Sequence, residues 1–218
     1  MTRRRFLNRM GILSALVVRA TDAVMLADNS SRKVPRVKTF TETFRANDGH
    51  WMAYRSELIH DLANDCMLLR PIRTNGSYYC WTSPGKPGQR PEYGLFGDAT
   101  GAVASVDVGL ASGSFGNDSG NIRIFVGYNP NPDQYVTLWS RNHVRASDLK
   151  PEGTTIRASL IDSEWPRETS TKNFGFTVDR TFVFSHLSEF GVTHDGRWNG
   201  KDDGVLWFDN AAIIVSDT

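Results

Sequence analysis

The strongest constraint on this chain is a two-residue alternation of apolar and polar side chains that recurs from Thr39 onward. Phe40-Thr41-Glu42-Thr43-Phe44 alternates strictly, and so do Ala102–Val108 (AVASVDV) and Ile122–Val126 (IRIFV). Successive side chains of a strand point to opposite faces, so this period makes sheets with one buried and one outward face. Tyr135–Trp139, Thr155–Leu160, Thr181–Phe184 and Val205–Phe208, continuing to Val215, are rich in branched and aromatic residues and read as further strands. Turn clusters separate them: Asn47-Asp48-Gly49, Pro84–Gly88, Gly113–Gly120, Asn129–Pro132, Pro151-Glu152-Gly153 and Asp195–Gly204. Turns at intervals of roughly ten to twenty residues suit a sandwich or jelly roll. Only Ser56–Leu69 competes as a helix, and its helical periodicity is poor. There is no internal repeat.

The N-terminus departs from this pattern. It opens Met1-Thr2-Arg3-Arg4-Arg5-Phe6-Leu7-Asn8, and Met10–Val18 (MGILSALVV) is a short apolar run. That length suits the core of a signal peptide and is too short to span a bilayer. Small residues allow a cut after Ala20 or Ala27. Thr2, Arg3, Arg4, Phe6 and Leu7 resemble the twin-arginine leader family, with Asn8 departing at a variable position. That resemblance implies Tat export to a periplasmic or secreted location. The expected division is a signal peptide over 1–27, a linker over 28–38 and one domain over 39–218. The expected fold class is all-β: a jelly-roll β-sandwich preceded by a short N-terminal signal helix.

Loss of the leader changes the charge. Residues 1–20 carry five Arg and no acid, so 25 basic residues become 20 against 24 acidic, about −4. An acidic domain argues against nucleic acid as a partner, which requires clustered Lys and Arg. No stretch approaches eighteen apolar residues, so no transmembrane segment is expected. Export would permit a disulfide between Cys66 and Cys80; the alternative is two buried thiols.

Three groups of residues bear on function. Phe40–Phe44 followed by Asn47-Asp48-Gly49-His50-Trp51, together with the closing Trp207-Phe208-Asp209-Asn210-Ala211-Ala212-Ile213, resembles the first and last strands of galactose-binding-like jelly rolls. This is the fold of many carbohydrate-binding modules. The resemblance implies a structural calcium held by an acid of each terminal strand, here Glu42 and Asp209, with backbone oxygens completing its shell. The second group is aromatic. Tyr79 and Trp81 share one face of their strand, and Tyr135 and Trp139 share one face of theirs. Sugar rings stack on aromatic planes while their hydroxyls take polar partners, so these four, with Arg70 and Arg141, form the expected glycan site. Arg73, Gln134 and Asn142 are further edge candidates. The alternation also allows these aromatics to be core, whereas Trp165 and Trp198, in polar loops, are less easily explained that way.

The third group is the loop Thr193–Gly204, which is rich in acids and glycines. It fails the EF-hand pattern, because Arg197 stands at the second ligand position after Asp195. It reads as a solvated turn. His194 and Asp195, adjacent on a strand, point apart. The expected function is an exported carbohydrate-binding jelly roll with a polysaccharide or other glycan as partner. Catalysis is left open. An enzyme of this kind would be a polysaccharide lyase or glycoside hydrolase, or the sandwich would serve only as a surface interaction protein. His60, His143, His186 and His194 with Arg70, Arg141 and Tyr135 could supply a lyase, but the strand motifs of alginate-lyase jelly rolls do not occur. Nucleophile-elbow, P-loop and zincin motifs are also missing.

Overall fold

The structure is a computed structural model, and it describes residues 35–37, 39–45, 51–72, 78–82, 95–131, 133–170, 174–196 and 203–215. The leader, Arg73, Trp198 and the rest of 197–202 in the 193–204 loop lie outside the described residues. Twelve strands, one short α-helix and two 3-10 turns are described. In chain order the strands are β1 (Phe40–Glu42), β2 (Met52–Tyr54), β3 (Ser56–Asp61), β4 (Cys66–Pro71), β5 (Tyr78–Thr82) and β6 (Val103–Ser112). They continue with β7 (Asn121–Asn131), β8 (Gln134–Arg145), β9 (Thr154–Ser159), β10 (Arg167–Ser170), β11 (Glu189–His194) and β12 (Val205–Ile214). The helix α1 spans Arg180–Ser185.

Every strand pairing is antiparallel, and the strands form two six-stranded sheets. The back sheet runs β3-β4-β12-β6-β9, with β1 joining β12 beyond the end of β4; the front sheet runs β10-β8-β7-β11-β5-β2. The chain passes repeatedly from one sheet to the other, which makes a jelly-roll sandwich. Ala104, Val106 and Val108 of β6 face Ile122, Ile124, Val126, Leu138 and Val192 of the front sheet in one buried core. An aromatic group closes one end: the Phe44 and Phe208 rings lie 5.3 Å apart, Trp51 and Phe208 4.9 Å, and Trp51 and Phe190 6.0 Å. The Phe and Trp residues that open the sandwich are therefore core.

Three sequence expectations change, and the ambiguous Ser56–Leu69 segment is resolved. Thr181–Phe184 reads as a strand but forms α1, because Asp179 caps it, its side chain accepting the Phe182 N–H at 2.8 Å. Val183 and Phe184 are buried on its inner side. Ser56–Leu69 is not a helix but most of the β3–β4 hairpin, in which Ile59 pairs with Leu68. Trp165 is fully buried despite its polar neighbours, with its Nε1–H donating to the Ser159 carbonyl at 2.7 Å. Pro35–Val37, read as linker, hydrogen-bond to Asp98 through the Val37 N–H and the Pro35 carbonyl, and Val37 is buried.

Cys66 and Cys80 are free buried thiols, on β4 of the back sheet and β5 of the front sheet respectively. Burial, and then the nearby carboxylates of Asp61, Asp209 and Asp65, push the Cys66 thiol up to about 11. Burial raises Cys80 as well. Among the described residues no helix is long and apolar enough to cross a membrane.

Candidate functional site

The outward face of the front sheet carries a row of large side chains where an ordinary solvated face would be polar. Strand pairing shows how they come together. Arg167 pairs with Trp139, Trp139 with Phe125, Phe125 with Gly191, and Gly191 with Trp81, so one row crosses β10, β8, β7, β11 and β5. A second row runs from Thr169 through Thr137 and Gly127 to Glu189. Tyr79 pairs with Thr193, and Tyr135 opens β8 on the same face. Residues of one strand two apart face the same side, and the register aligns the strands, so these rows form a single surface.

The surface is a groove of about 400 Å³, within the roughly 300–1,000 Å³ of small-ligand clefts. Two glycines shape its floor. A Cβ at Gly191 would meet the Phe125 ring at 2.5 Å, and one at Gly127 would meet Glu189 Oε2 at 2.9 Å. Only a residue without a side chain lets Phe125 and Glu189 lie over the strands beside them. Tyr79 sits among aromatics, 5.5 Å from Trp81, 5.7 Å from Phe125 and 5.1 Å from Tyr54.

Polar side chains share the groove with the aromatics. Glu189, 6 % exposed, has Oε1 accepting the Asn129 Nδ2–H at 2.7 Å. Burial raises the Tyr79 hydroxyl, and the Tyr54, Glu189 and Tyr135 charges add to it against Arg55, reaching about 12. Tyr79 therefore stays protonated and can donate. Arg167 lies over the Trp139 ring with Cζ 3.8 Å from the centroid. Asp195 accepts from Arg123 Nε and, at 2.8 Å, from the Asn121 N–H. Burial alone would raise this carboxyl, but the Arg123 and Asn121 hydrogen bonds and the Arg123 charge outweigh it and hold it below the usual range.

Of the residues expected from sequence, Tyr79, Trp81, Tyr135 and Trp139 meet in this groove. Arg70 does not. It stands on β4 of the other sheet, in an exposed ion pair with Glu57 at 3.3 Å, because the β3–β4 hairpin joins the back sheet. Arg141 lies beyond the groove, in a separate depression lined with Asn142, His143 and Arg157, and its Nε donates to the Ser163 carbonyl at 3.1 Å. His194 is fully buried and stacked on Tyr78 at 4.8 Å. Arg167, Phe125 and Asn129 were not expected here. The alternation Arg167-Glu168-Thr169 could have signalled a strand, but not that it would pair with β8.

Glu42 and Asp209 have different surroundings. Glu42 Oε1 accepts the backbone N–H groups of Thr43 and Phe44, both at 3.1 Å, which holds Phe44 at φ 52°. Asp209 Oδ1 is buried with no hydrogen-bond partner among the described residues. Burial raises this carboxyl, as do the Asp107 and Asp65 charges, against the Asn210 N–H and Arg45. Among the described residues no three His, Cys, Asp or Glu side chains gather as a metal site. The fit to calcium is thus partial: one orphan carboxylate oxygen, and a Glu42 carboxylate already half engaged.

No protein-family model and no curated protein matches the chain. Among solved structures it is similar to CtCBM11, with a TM-score of 0.48, 11 % identity and coverage of 84 % of this chain and 98 % of that one. It is also similar to PfGH50B, with a TM-score of 0.43 and 9 % identity over 73 % of this chain but 22 % of that one. A third is the carbohydrate esterase vb_24B_21 from the Shiga toxin-encoding bacteriophage phi24B, with a TM-score of 0.40, 10 % identity and coverage of 84 % and 100 %. Identities this low carry no residue correspondence, so what the groove does rests on its own geometry.

Proposed function

We propose that this protein is a glycan-binding domain that holds a polysaccharide chain across the strands of its front sheet. One observation carries the reading: Tyr79, Trp81, Tyr135 and Trp139, from two strands that are not neighbours, line one outward groove with polar side chains among them. Sugar rings offer apolar C–H faces to such planes. Their hydroxyls require donors and acceptors at the edges, and the protonated Tyr79, Asn129, Glu189, Thr137 and Thr169 supply both. From β10 to β5 the sheet spans about 19 Å at about 4.8 Å per strand, which accommodates several linked pyranose rings.

Binding is favoured over turnover. Glu189 is the single carboxylate among the described lining residues, whereas glycoside hydrolysis requires a facing pair. The histidines considered as lyase bases, His60, His143, His186 and His194, are not among the described residues that line the groove. The leader over 1–27 would route the domain to the periplasm or beyond, where such polymers are found. A glycan array on the purified protein, with product release assayed in parallel, tests this. Retention without product is expected; no retention overturns the reading, and released product replaces it with an enzyme.

A structural calcium at Asp209, shared with Glu42, is proposed as a second feature, on the ground that the buried Asp209 Oδ1 lacks a partner among the described residues. Calcium added to chelator-treated protein is then expected to raise Tm, and an unchanged Tm removes the proposal.

A further inference from the structure

The two charged side chains that line the groove differ in how far their charge is already answered. Glu189 is nearly buried and bonded to Asn129. Arg167 stands three strands away on the edge strand β10, about 14 Å by interstrand spacing. Its side chain is 52 % exposed, and its ion pair is long, with Nη1 4.0 Å from Asp195 Oδ2. That same oxygen is already held by Arg123 Nε, and Arg123 Nη1 is committed to the Ser140 and Arg141 carbonyls at 2.8 and 3.1 Å. Asp195 thus has its counter-charge in Arg123, and Arg167 is left largely uncompensated.

Arg167 is also oriented in advance. Its guanidinium rests on the Trp139 ring, which fixes a long, flexible side chain and leaves the edge of a planar donor fork toward solvent. Such a fork suits two acceptor oxygens on one atom, as in a carboxylate or a sulfate ester. Positive charge continues past this end of the groove. Two residues beyond Trp139 on β8, Arg141 enters the open depression of about 830 Å³ that His143 and Arg157 also line. The acid beside it, Glu164, receives the Asn142 Nδ2–H at 3.2 Å.

We infer that the glycan held by this groove is anionic: Arg167 takes the carboxylate or sulfate of one sugar while adjoining rings stack on the aromatics, and the polymer continues over Arg141 and Arg157. The inference rests on the glycan-binding reading and adds the class of sugar. Its preference arises from one oriented guanidinium rather than from net charge, which is +1 for the full chain and about −4 without the first twenty residues.

The test is affinity electrophoresis of the full chain through gels containing polygalacturonate, alginate, dextran sulfate or a neutral β-glucan, at low and physiological salt. An acidic polymer is expected to bind at least about tenfold more tightly than the neutral one, with affinity falling as salt rises. The Arg167→Gln variant should reduce that acidic-over-neutral ratio about tenfold, and Arg167→Lys should recover only part of it, since an ammonium lacks the planar fork. Arg141→Gln should lower the ratio about twofold to threefold, as an exposed charge does. Retention in the uronate gels alone, or in dextran sulfate alone, identifies the acidic group. Equal affinity for neutral and acidic polymers, or a ratio that Arg167→Gln leaves intact, overturns this inference while leaving glycan binding in place. Retention by none of the polymers overturns both.

Discussion

The two sheets bury similar apolar faces against each other but use their outward tryptophans in opposite ways. On the back sheet, Trp207 lies over Gly109 and Gly153, where a Cβ would strike its ring, and its Nε1–H donates to the Pro151 carbonyl at 3.0 Å. On the front sheet, the indole N–H groups of Trp81 and Trp139 are buried without a partner among the described residues, as is that of the core Trp51. Trp207 is seated by two glycines and a hydrogen bond, so it acts as a packing piece although it lies outside the core. Trp81 and Trp139 instead line the open groove of the front sheet, and among the described residues no glycine is shown beneath either ring. Being outward and aromatic is thus not enough to mark a platform; lining a groove rather than covering glycines separates the two cases.

Substitutions at these positions test the contrast. Trp207→Ala should cost about 3 kcal/mol, a fall of roughly 6–12 °C in Tm for a domain of this size, while glycan affinity stays at the wild-type value. A matching loss of affinity would erase the distinction between the sheets. Trp139→Ala should do the reverse, weakening glycan binding by about thirtyfold, roughly 2 kcal/mol, with only a small change in a thermal melt. Calorimetric titration and melting of both variants provide the check.

The acids of the two sheets contrast in the same manner. Asp195, beside the groove, has its carboxyl held low, so it contributes stability above the unfolded pKa near 4, and that contribution is lost as pH falls through the folded value. Asp195→Asn should therefore cost about 1–2 kcal/mol at pH 7, and urea melts at pH 3 should show the gap to wild type closing. A gap that persists at pH 3 would mean that shape rather than charge holds Arg123.

Asp209 has its carboxyl raised, so the folded protein retains a proton that the unfolded chain gives up. Stability then falls as pH rises from the unfolded value through the folded one. The smallest effect is expected here. Asp209→Asn should match wild type near pH 4 and exceed it by less than about 1 kcal/mol at pH 8, and saturating calcium should reverse the order if the cation binds. Melts at both pH values, with and without calcium, decide it.

Particular residues show how far the sequence could be read. The same-face pairs Tyr79 with Trp81 and Tyr135 with Trp139 follow from the two-residue period alone, and the structure keeps both. The period fails at β12, where Leu206 and Phe208 are buried but the next core residues are Ala211 and Ile213. A bulge between Asp209 and Ala212, with Asn210 at φ 47°, inserts a residue and resets which side faces in. Thr181–Phe184 carries a strand-like composition, and one capping aspartate turned it into a helix. Composition also misjudged Trp165, because the polar residues around it say nothing of the core beneath the loop.

By itself, the sequence determined that the described chain would be an antiparallel sandwich and which aromatics would share a strand face. Alternation is a local property, fixed by backbone geometry within each strand. Only the tertiary structure decided that β5 and β8 face the same groove, that Arg70 goes to the other sheet, and that Arg167 meets Trp139 across β10. Those placements depend on pairings between strands distant in sequence, which are selected by packing of the whole core rather than by any one segment.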